Sequence, residues 1–366
     1  MNSNKVTDVE NLDFEKIKAK LKLYLSSQDQ FTDYDFEGSG INVLIDLLSH
    51  NTHYNALLAH LNMNETFLDT AQVRSNAVSH AQAIGYIPKS MSSPNTKLDI
   101  TVQGIADGPS TITMPRGTRF AGKINNTDFT FTTIDAKVAN QLNDNSYKFF
   151  NSDIYEGSIR QEQFRRDGLI SFQKYELLSN NIDIKTIRVN VFESANTTES
   201  DSYQFYGNIL DVGTRSTVYF IKENAFGRYE IWFGDNNIGK EPPAGSRIVV
   251  EYIETSGESG NNIKLISSSS AIQGLSDIAV TLSEGYTKTS GGAERETINS
   301  IKFNAPINFG IQNRAVVAND YKILLLNEFS SIKDISVWGG EDSIPPVYGK
   351  VFIAPALFGG SSVTES

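Results

Sequence analysis

The stretch Gly85–Val102, GYIPKSMSSPNTKLDITV, separates two kinds of hydrophobic pattern. Ahead of it, apolar residues recur every three or four positions, the spacing of one helix face. Beyond it they alternate, as in Leu98-Asp-Ile-Thr-Val102, the spacing of a half-buried strand. Gly85, with Pro88 just after, is a helix stop: glycine takes the left-handed backbone of a C-cap and proline cannot continue the helix. The expected class is therefore α+β multidomain, with an N-terminal helical arm, antiparallel β-rich modules in the middle and a C-terminal αβ module. Antiparallel pairing is expected because the long crossovers of parallel sheets are absent.

Upstream of the switch the periodicity predicts three helices. The first covers Asp13–Ser26, from Phe14, Ile17, Leu21 and Tyr24, and the second runs from about Ile41 to Asn62. The third is expected to open at Thr66, where Asp69 three residues on approximates a capping box, and to stop at Gly85. The second helix carries a stripe of Leu44, Leu47, Asn51, Tyr54, Leu58 and Leu61. At 1.5 Å per residue that stripe is about 25 Å long. Ala71, Ala77, Ala81 and Ala83 leave the third helix little bulk to cover it. Burying one exposed leucine contributes roughly 1.5–3 kcal/mol, so the stripe is expected to lie in an inter-chain bundle. Asn51 would fix its register, as a polar residue does in a bundle seam.

Downstream, strands are predicted at Leu98–Val102, Thr111–Met114, Phe129–Phe131, Ile187–Phe192, Val218–Ile221, Tyr229–Phe233 and Arg247–Ile253. A helix Ala293–Phe303 should stop near Pro306, a second should run from about Asn319 to Phe329, and strands Ile332–Trp338 and Lys350–Ala354 should follow. The expected modules are a helical arm for assembly at 1–95, a small β module at 96–145, a β-rich domain at 146–285 and an αβ module at 286–366.

A chain of 366 residues exceeds one typical domain, and 39% hydrophobic with 10% aromatic residues is enough for folded cores. With 43 acidic against 32 basic residues the formal charge is −11, which argues against gripping nucleic-acid phosphates. The basic residues Arg160, Arg165, Arg166 and Lys174 form one local patch. The absence of cysteine excludes disulfides, thiolate metal sites and cysteine nucleophiles. No signal peptide and no apolar run of about 18 residues is present, so an aqueous location without membrane partners is expected.

The motifs that resemble chemistry fail on their details. Asp33-Tyr-Asp35-Phe-Glu37-Gly38 begins like a calcium loop, but its twelfth position is Leu44 where a bidentate glutamate is needed. It reads instead as an ordered turn of Phe31, Asp33, Asp35, Phe36, Glu37 and Gly38, with acids near a helix N-terminus. Gly234–Lys240 imitates a phosphate loop, but Glu241 stands where magnesium needs a hydroxyl and Pro242-Pro243 forbids the helix. A turn between strands is expected there. His50, His53, His60 and His80 show no metal-ligand spacing. No catalytic residue, metal or cofactor is predicted.

Three groups of segments carry a family resemblance. Phe31–Ser39, Asn42–Leu48, Asn51-Thr52, Arg74-Ser75, Gly85–Pro88 and Pro115–Phe120 resemble the N-terminal region of baseplate wedge subunits of T-even-like contractile-tail phages. Phe233–Asp235, Gly239-Lys240 and Gly245–Tyr252 resemble the β region of baseplate-J-type proteins, and Gly291–Glu296, Asn304–Pro306 and Arg314–Tyr321 their later αβ region. The matches run in one order from Phe14 to Ala354.

The resemblance implies a structural subunit that is not an enzyme. It would pair with a second copy of itself and with other wedge proteins, and wedges would join into a ring around the tail tube that transmits the trigger for sheath contraction. The location implied is the virion tail baseplate, with the host cytoplasm during assembly. Family chains usually continue past the strand matching Lys350–Ala354, so a chain ending at Ser366 is expected to be a shorter or truncated member. Where Val317 stands the family often has a threonine N-cap, whose loss should weaken that helix start by about 1 kcal/mol. The rival reading is a tail-associated carbohydrate-binding or degrading protein, which would need clustered aromatics or a carboxylate pair on the β region. It leaves the helical arm unexplained.

Overall fold

Asp13 accepts the Phe14 amide and thereby starts helix α1, Phe14–Ser26. Ser39 does the same for α2, Gly40–Glu65, through the Asn42 amide at 3.1 Å. The computed structural model describes residues 13–28, 30, 38–105, 108–194, 197–206, 212–311, 314–329 and 332–357. Phe31, Asp33, Asp35, Phe36 and Glu37 of the expected turn lie outside these, and Gly38 is an exposed turn residue. The chain divides into two units, Met1–His80 and Ala81–Ser366.

Helix α3 covers Arg74–Ala83 and does not open at Thr66. Thr66 is the C-cap of α2: its amide reaches the Met63 carbonyl and its hydroxyl donates to the Asn62 carbonyl at 2.9 Å. The capping of α3 comes from the end of α2. The Glu65 carboxylate accepts the Gln72 amide at 2.8 Å and the Val73 amide at 3.3 Å, and Asn76 Nδ2 at 2.8 Å. A full carboxylate supplied from outside outcompetes the local threonine pattern. The stop at Gly85 is as expected: φ is +82°, the Tyr86 amide reaches the Ala81 carbonyl and the Gly85 amide that of Gln82. That is a Schellman ending.

The second unit holds strands β1 (Asn95–Gln103), β2 (Thr111–Met114), β3 (Arg119–Ile124), β4 (Thr127–Thr133), β5 (Lys137–Asn140), β6 (Ser146–Glu156), β7 (Ser158–Arg165), β8 (Tyr175–Glu176) and β9 (Ile182–Phe192). There follow β10 (Asp201–Phe205), β11 (Val218–Glu223), β12 (Tyr229–Phe233), β13 (Arg247–Glu254), β14 (Ile266–Ser268) and β15 (Ile278–Leu282). One sheet has the order β14-β3-β4-β6-β1-β15 and a second β7-β13-β9-β10-β11-β12-β8, with β2 and β5 as a separate pair. The pairings are antiparallel except β10 with β11, which run parallel.

Alternation builds both cores. In β1 every second residue is buried, which sends Leu98, Ile100 and Val102 against Phe120, Phe131, Tyr147 and Phe149. The second core gathers Tyr175, Val189, Val191, Tyr219, Ile231, Ile248 and Val250. The β3–β4 hairpin closes on Asn125 and Asn126 at φ +47° and +67°, the left-handed pair that a two-residue type I′ turn requires.

The expected modules at 96–145 and 146–285 share a sheet, whereas the strands Ile332–Gly339 and Val351–Leu357 of the expected module at 286–366 pair with each other. Strands β6, β14 and β15, expected in the second module, pair with β1 and β3 of the first. Local pattern finds strands but not their partners, which here lie up to 184 residues apart (Leu98 with Leu282).

Helix α4 spans Ile298–Ile311 and continues through Pro306, unlike the expected Ala293–Phe303. Its start moves because Ala293 is held extended by mutual backbone bonds with Ser92, at 2.9 and 3.1 Å. Burial of Ile301, Ala305 and Ile311 on both sides of Pro306 offsets the one helical hydrogen bond that proline removes. Helix α5, Ala318–Glu328, is followed by a hairpin of β16 (Ile332–Gly339) and β17 (Val351–Leu357). Val317 is the N-cap of α5 and has no side-chain oxygen to offer. Asp320 Oδ2 instead accepts the Val316 and Val317 amides at 2.9 and 3.0 Å, half of a capping box.

Candidate functional site

Helix α2 meets α1 through a face of small and polar residues. Asn42, Ile45 and Ser49 are buried, and His53, Ala56, His60 and Asn64 continue that face half-buried. Lys18 Nζ sits 2.6 Å from Asp46 Oδ1, and the rings of Phe14 and His50 are 4.3 Å apart. The interior of this pair is thus not the leucine-rich side of α2.

The stripe read from the sequence lies outside that contact. Leu44, Leu47, Tyr54, Leu58 and Leu61 are exposed, Leu47 at 65% and Leu58 at 56%. Asn51 is exposed among them and accepts Asn55 Nδ2 at 3.3 Å. Val43, Leu48, Leu57 and Met63 widen the same apolar surface, and Leu23 and Tyr24 of α1 are exposed too. Tyr24, expected to face inward, does not, and Leu25 is half-buried beside it. Several leucines held on a rigid helix in water form the kind of patch that marks a protein interface.

The histidines are engaged locally. His60 Nε2 contacts Asn64 Nδ2 at 3.1 Å and His80 Nε2 the Glu65 carbonyl at 2.8 Å. Among the described residues no group of three or more His, Asp or Glu could hold a metal, and no helix is long and apolar enough to cross a membrane. In the Gly234–Lys240 turn, Asp235 Oδ1 accepts the Asn237 and Ile238 amides and Lys240 pairs with Asp201 at 2.5 Å.

Sequence reasoning missed a set of buried carboxylates that hold the β unit together. Glu296 accepts the Tyr86 hydroxyl, the Lys89 amide at 3.0 Å, Ser300 Oγ at 2.7 Å and Asn304 Nδ2 at 2.8 Å. Burial, then the Glu296 charge, pushes the Tyr86 hydroxyl well above its ordinary range. Asp183, 4% exposed, accepts the Ser93 amide at 2.8 Å, and burial pushes its carboxyl up. Glu156 accepts Thr255 Oγ1 at 2.7 Å and the Ser256 amide at 2.9 Å. Each ties segments distant in sequence, so nothing local marks it; the one nearby signal is Gly291-Gly292 ahead of Glu296, where Gly291 takes φ +87° and Gly292 closely approaches Pro94 and Gly257.

Comparison with known proteins agrees with these elements. Residues 13–86 match the helical domain of the gp6-like baseplate wedge proteins, and residues 317–365 match C-terminal domain I of the baseplate structural protein gp6. The baseplate wedge protein gp6 of Enterobacteria phage T4 is 30% identical over 93% of this chain. The chain spans about half, 54%, of that relative's length. Among solved structures, the anti-feeding prophage baseplate aligns over 93% of this chain and 70% of its own at 12% identity and a TM-score of 0.29. The type VI secretion TssK-TssF-TssG baseplate subcomplex aligns over 86% and 88% at 7% identity and a TM-score of 0.33. At those scores neither likeness bears on the fold or the function. In its two matched domains, and over most of its length, the chain is similar to the gp6-like baseplate wedge proteins.

Proposed function

We propose that the chain is a structural, non-catalytic subunit of a contractile-tail baseplate wedge. Its α2 face, Leu44, Leu47, Asn51, Tyr54, Leu58 and Leu61, assembles into a helical bundle with a second copy of the chain and other wedge proteins. The observation that carries this reading is that α2 spends its polar side on α1 and leaves its leucines in water. Burying several leucines at roughly 1.5–3 kcal/mol each exceeds the cost of association.

In the same reading, residues 1–95 serve assembly and the β-rich and αβ parts contribute to a ring around the tail tube that passes on the trigger for sheath contraction. The subunit resides in the virion tail baseplate after assembly in the host cytoplasm. Leu47→Asp with Leu58→Asp, co-expressed with the other wedge proteins and followed by light scattering after size exclusion, should yield monomer while the β unit keeps its thermal transition. Normal assembly of that double variant overturns the assignment of the interface.

A further inference from the structure

Arg165 ends β7 and Arg247 opens β13, and the two are direct register partners on neighbouring antiparallel strands. Like charges placed opposite each other on one sheet face repel, so such a pair is a cost unless an anion answers it. Among the described residues neither guanidinium is ion-paired. Arg247 lies over the Phe192 ring at 4.1 Å, and its Nε is buried without a hydrogen-bond partner. The two arginines line a cleft of about 260 Å³ with Gln163, Phe164 and Gly245. Gly245, at φ +81°, keeps the cleft wall free of a side chain. By contrast the adjacent Arg166 is buried and fully used, bonding Ile170 O at 2.5 Å and pairing with Glu241.

The cleft lies on an open edge. β7 is the terminal strand of its sheet. The Arg166 amide and carbonyl face β13, through Ser246 O at 3.0 Å and Gly245 N at 2.9 Å. By the alternation of an antiparallel ladder, the backbone groups of Gln163 and Gln161 then face outward. Just past the edge, Leu169, Ile170 and Phe172 are exposed on a loop whose shape is fixed by Arg166, by Asp167 Oδ1 accepting the Leu169 amide at 2.9 Å and by Gln173. Phe172 holds φ +52°, in the left-handed region.

We propose that the outer edge of β7 receives an extended acidic segment of a partner polypeptide, with a carboxylate bound by Arg165 and Arg247. Strand addition satisfies the outward amides, and the guanidinium pair selects acidic side chains at one register. The outward backbone groups of the edge strand can pair with an extended polypeptide and not with a lipid headgroup, which favours a polypeptide over a membrane.

The test uses the full chain and a fluorescein-labelled peptide of alternating Glu and Val, read by anisotropy. Saturable, salt-sensitive binding is expected, weakened at least about tenfold by Arg165→Gln with Arg247→Gln and similarly by Gln in place of Glu in the peptide. Backbone N-methylation of the peptide should also abolish it, a probe that leaves the protein unaltered. Equal binding of the acidic and neutral peptides, or unchanged binding by the double variant, overturns the proposal. So does displacement by inorganic phosphate as effective as by unlabelled peptide, which makes this a small-anion site, or preferential binding to phosphatidylserine vesicles.

Discussion

The Tyr86 hydroxyl lies 2.9 Å from Oε1 and 2.8 Å from Oε2 of Glu296, across 210 residues of sequence. This contact fastens the segment after Gly85 to the start of α4, because the same carboxylate also binds the Lys89 amide and two α4 side chains. Tyr86→Phe removes one charge-assisted hydrogen bond and should cost about 1.5–3 kcal/mol. Glu296→Leu strands several buried donors at once and should cost distinctly more. Urea unfolding of both variants checks the order.

Gly157 carries the chain from β6 in one sheet to β7 in the other, at φ +116°. A Cβ there would meet the Glu254 carbonyl oxygen at 2.2 Å. Gly157→Ala should therefore cost more than about 4 kcal/mol or abolish folding of the β unit. Gly285→Ala, at φ +85° with nothing within 4 Å of the added carbon, is the control and should cost about 1 kcal/mol. Thermal melts of the two compare steric clash with backbone strain alone.

At the start of α3 the prediction separates two caps. Glu65→Ala removes the acceptor of the Gln72 and Val73 amides and should lower the stability of the helical unit by about 0.5–2 kcal/mol. Asp69→Ala, the position that the capping-box pattern singled out, should change it by less than about 0.5 kcal/mol. Far-UV circular dichroism during denaturation measures both.

These cases show what was legible in the sequence. The first helix, the Gly85 stop and the Tyr229–Phe233 strand were readable because each depends on neighbours within a few residues. The leucine stripe of α2 was readable too, since helical spacing alone defines it, but which side α1 covers was not. β3, β5, β6, β7, β8, β10, β14 and β15 were not singled out, and for β14 and β15 the partners, β3 and β1, lie far along the chain. Glu156, Asp183 and Glu296 looked like any surface acid, because burial is a property of the assembled sheets.

Asp183 makes one of those acids testable by pH. Burial raises its folded-state carboxyl above the ordinary value of 3.8, so the folded protein favours the protonated acid. Its stabilising contribution is therefore present at low pH and lost as pH rises through the raised value. Asp183→Asn keeps an acceptor for the Ser93 amide and removes that titration. As pH rises from about 4, the ordinary carboxyl value, wild type should lose stability relative to the variant. Parallel melting curves at every pH would mean that Asp183 does not titrate as its burial requires.

The central claim is that the leucine face of α2 is an interface between chains. A cryo-EM map of the intact virion tail tests it most directly. The account predicts Leu44, Leu47, Tyr54, Leu58 and Leu61 packed against a helix of another polypeptide, with Asn51 hydrogen-bonded across the seam. A map in which these residues face solvent, or are covered wholly by their own chain, contradicts it.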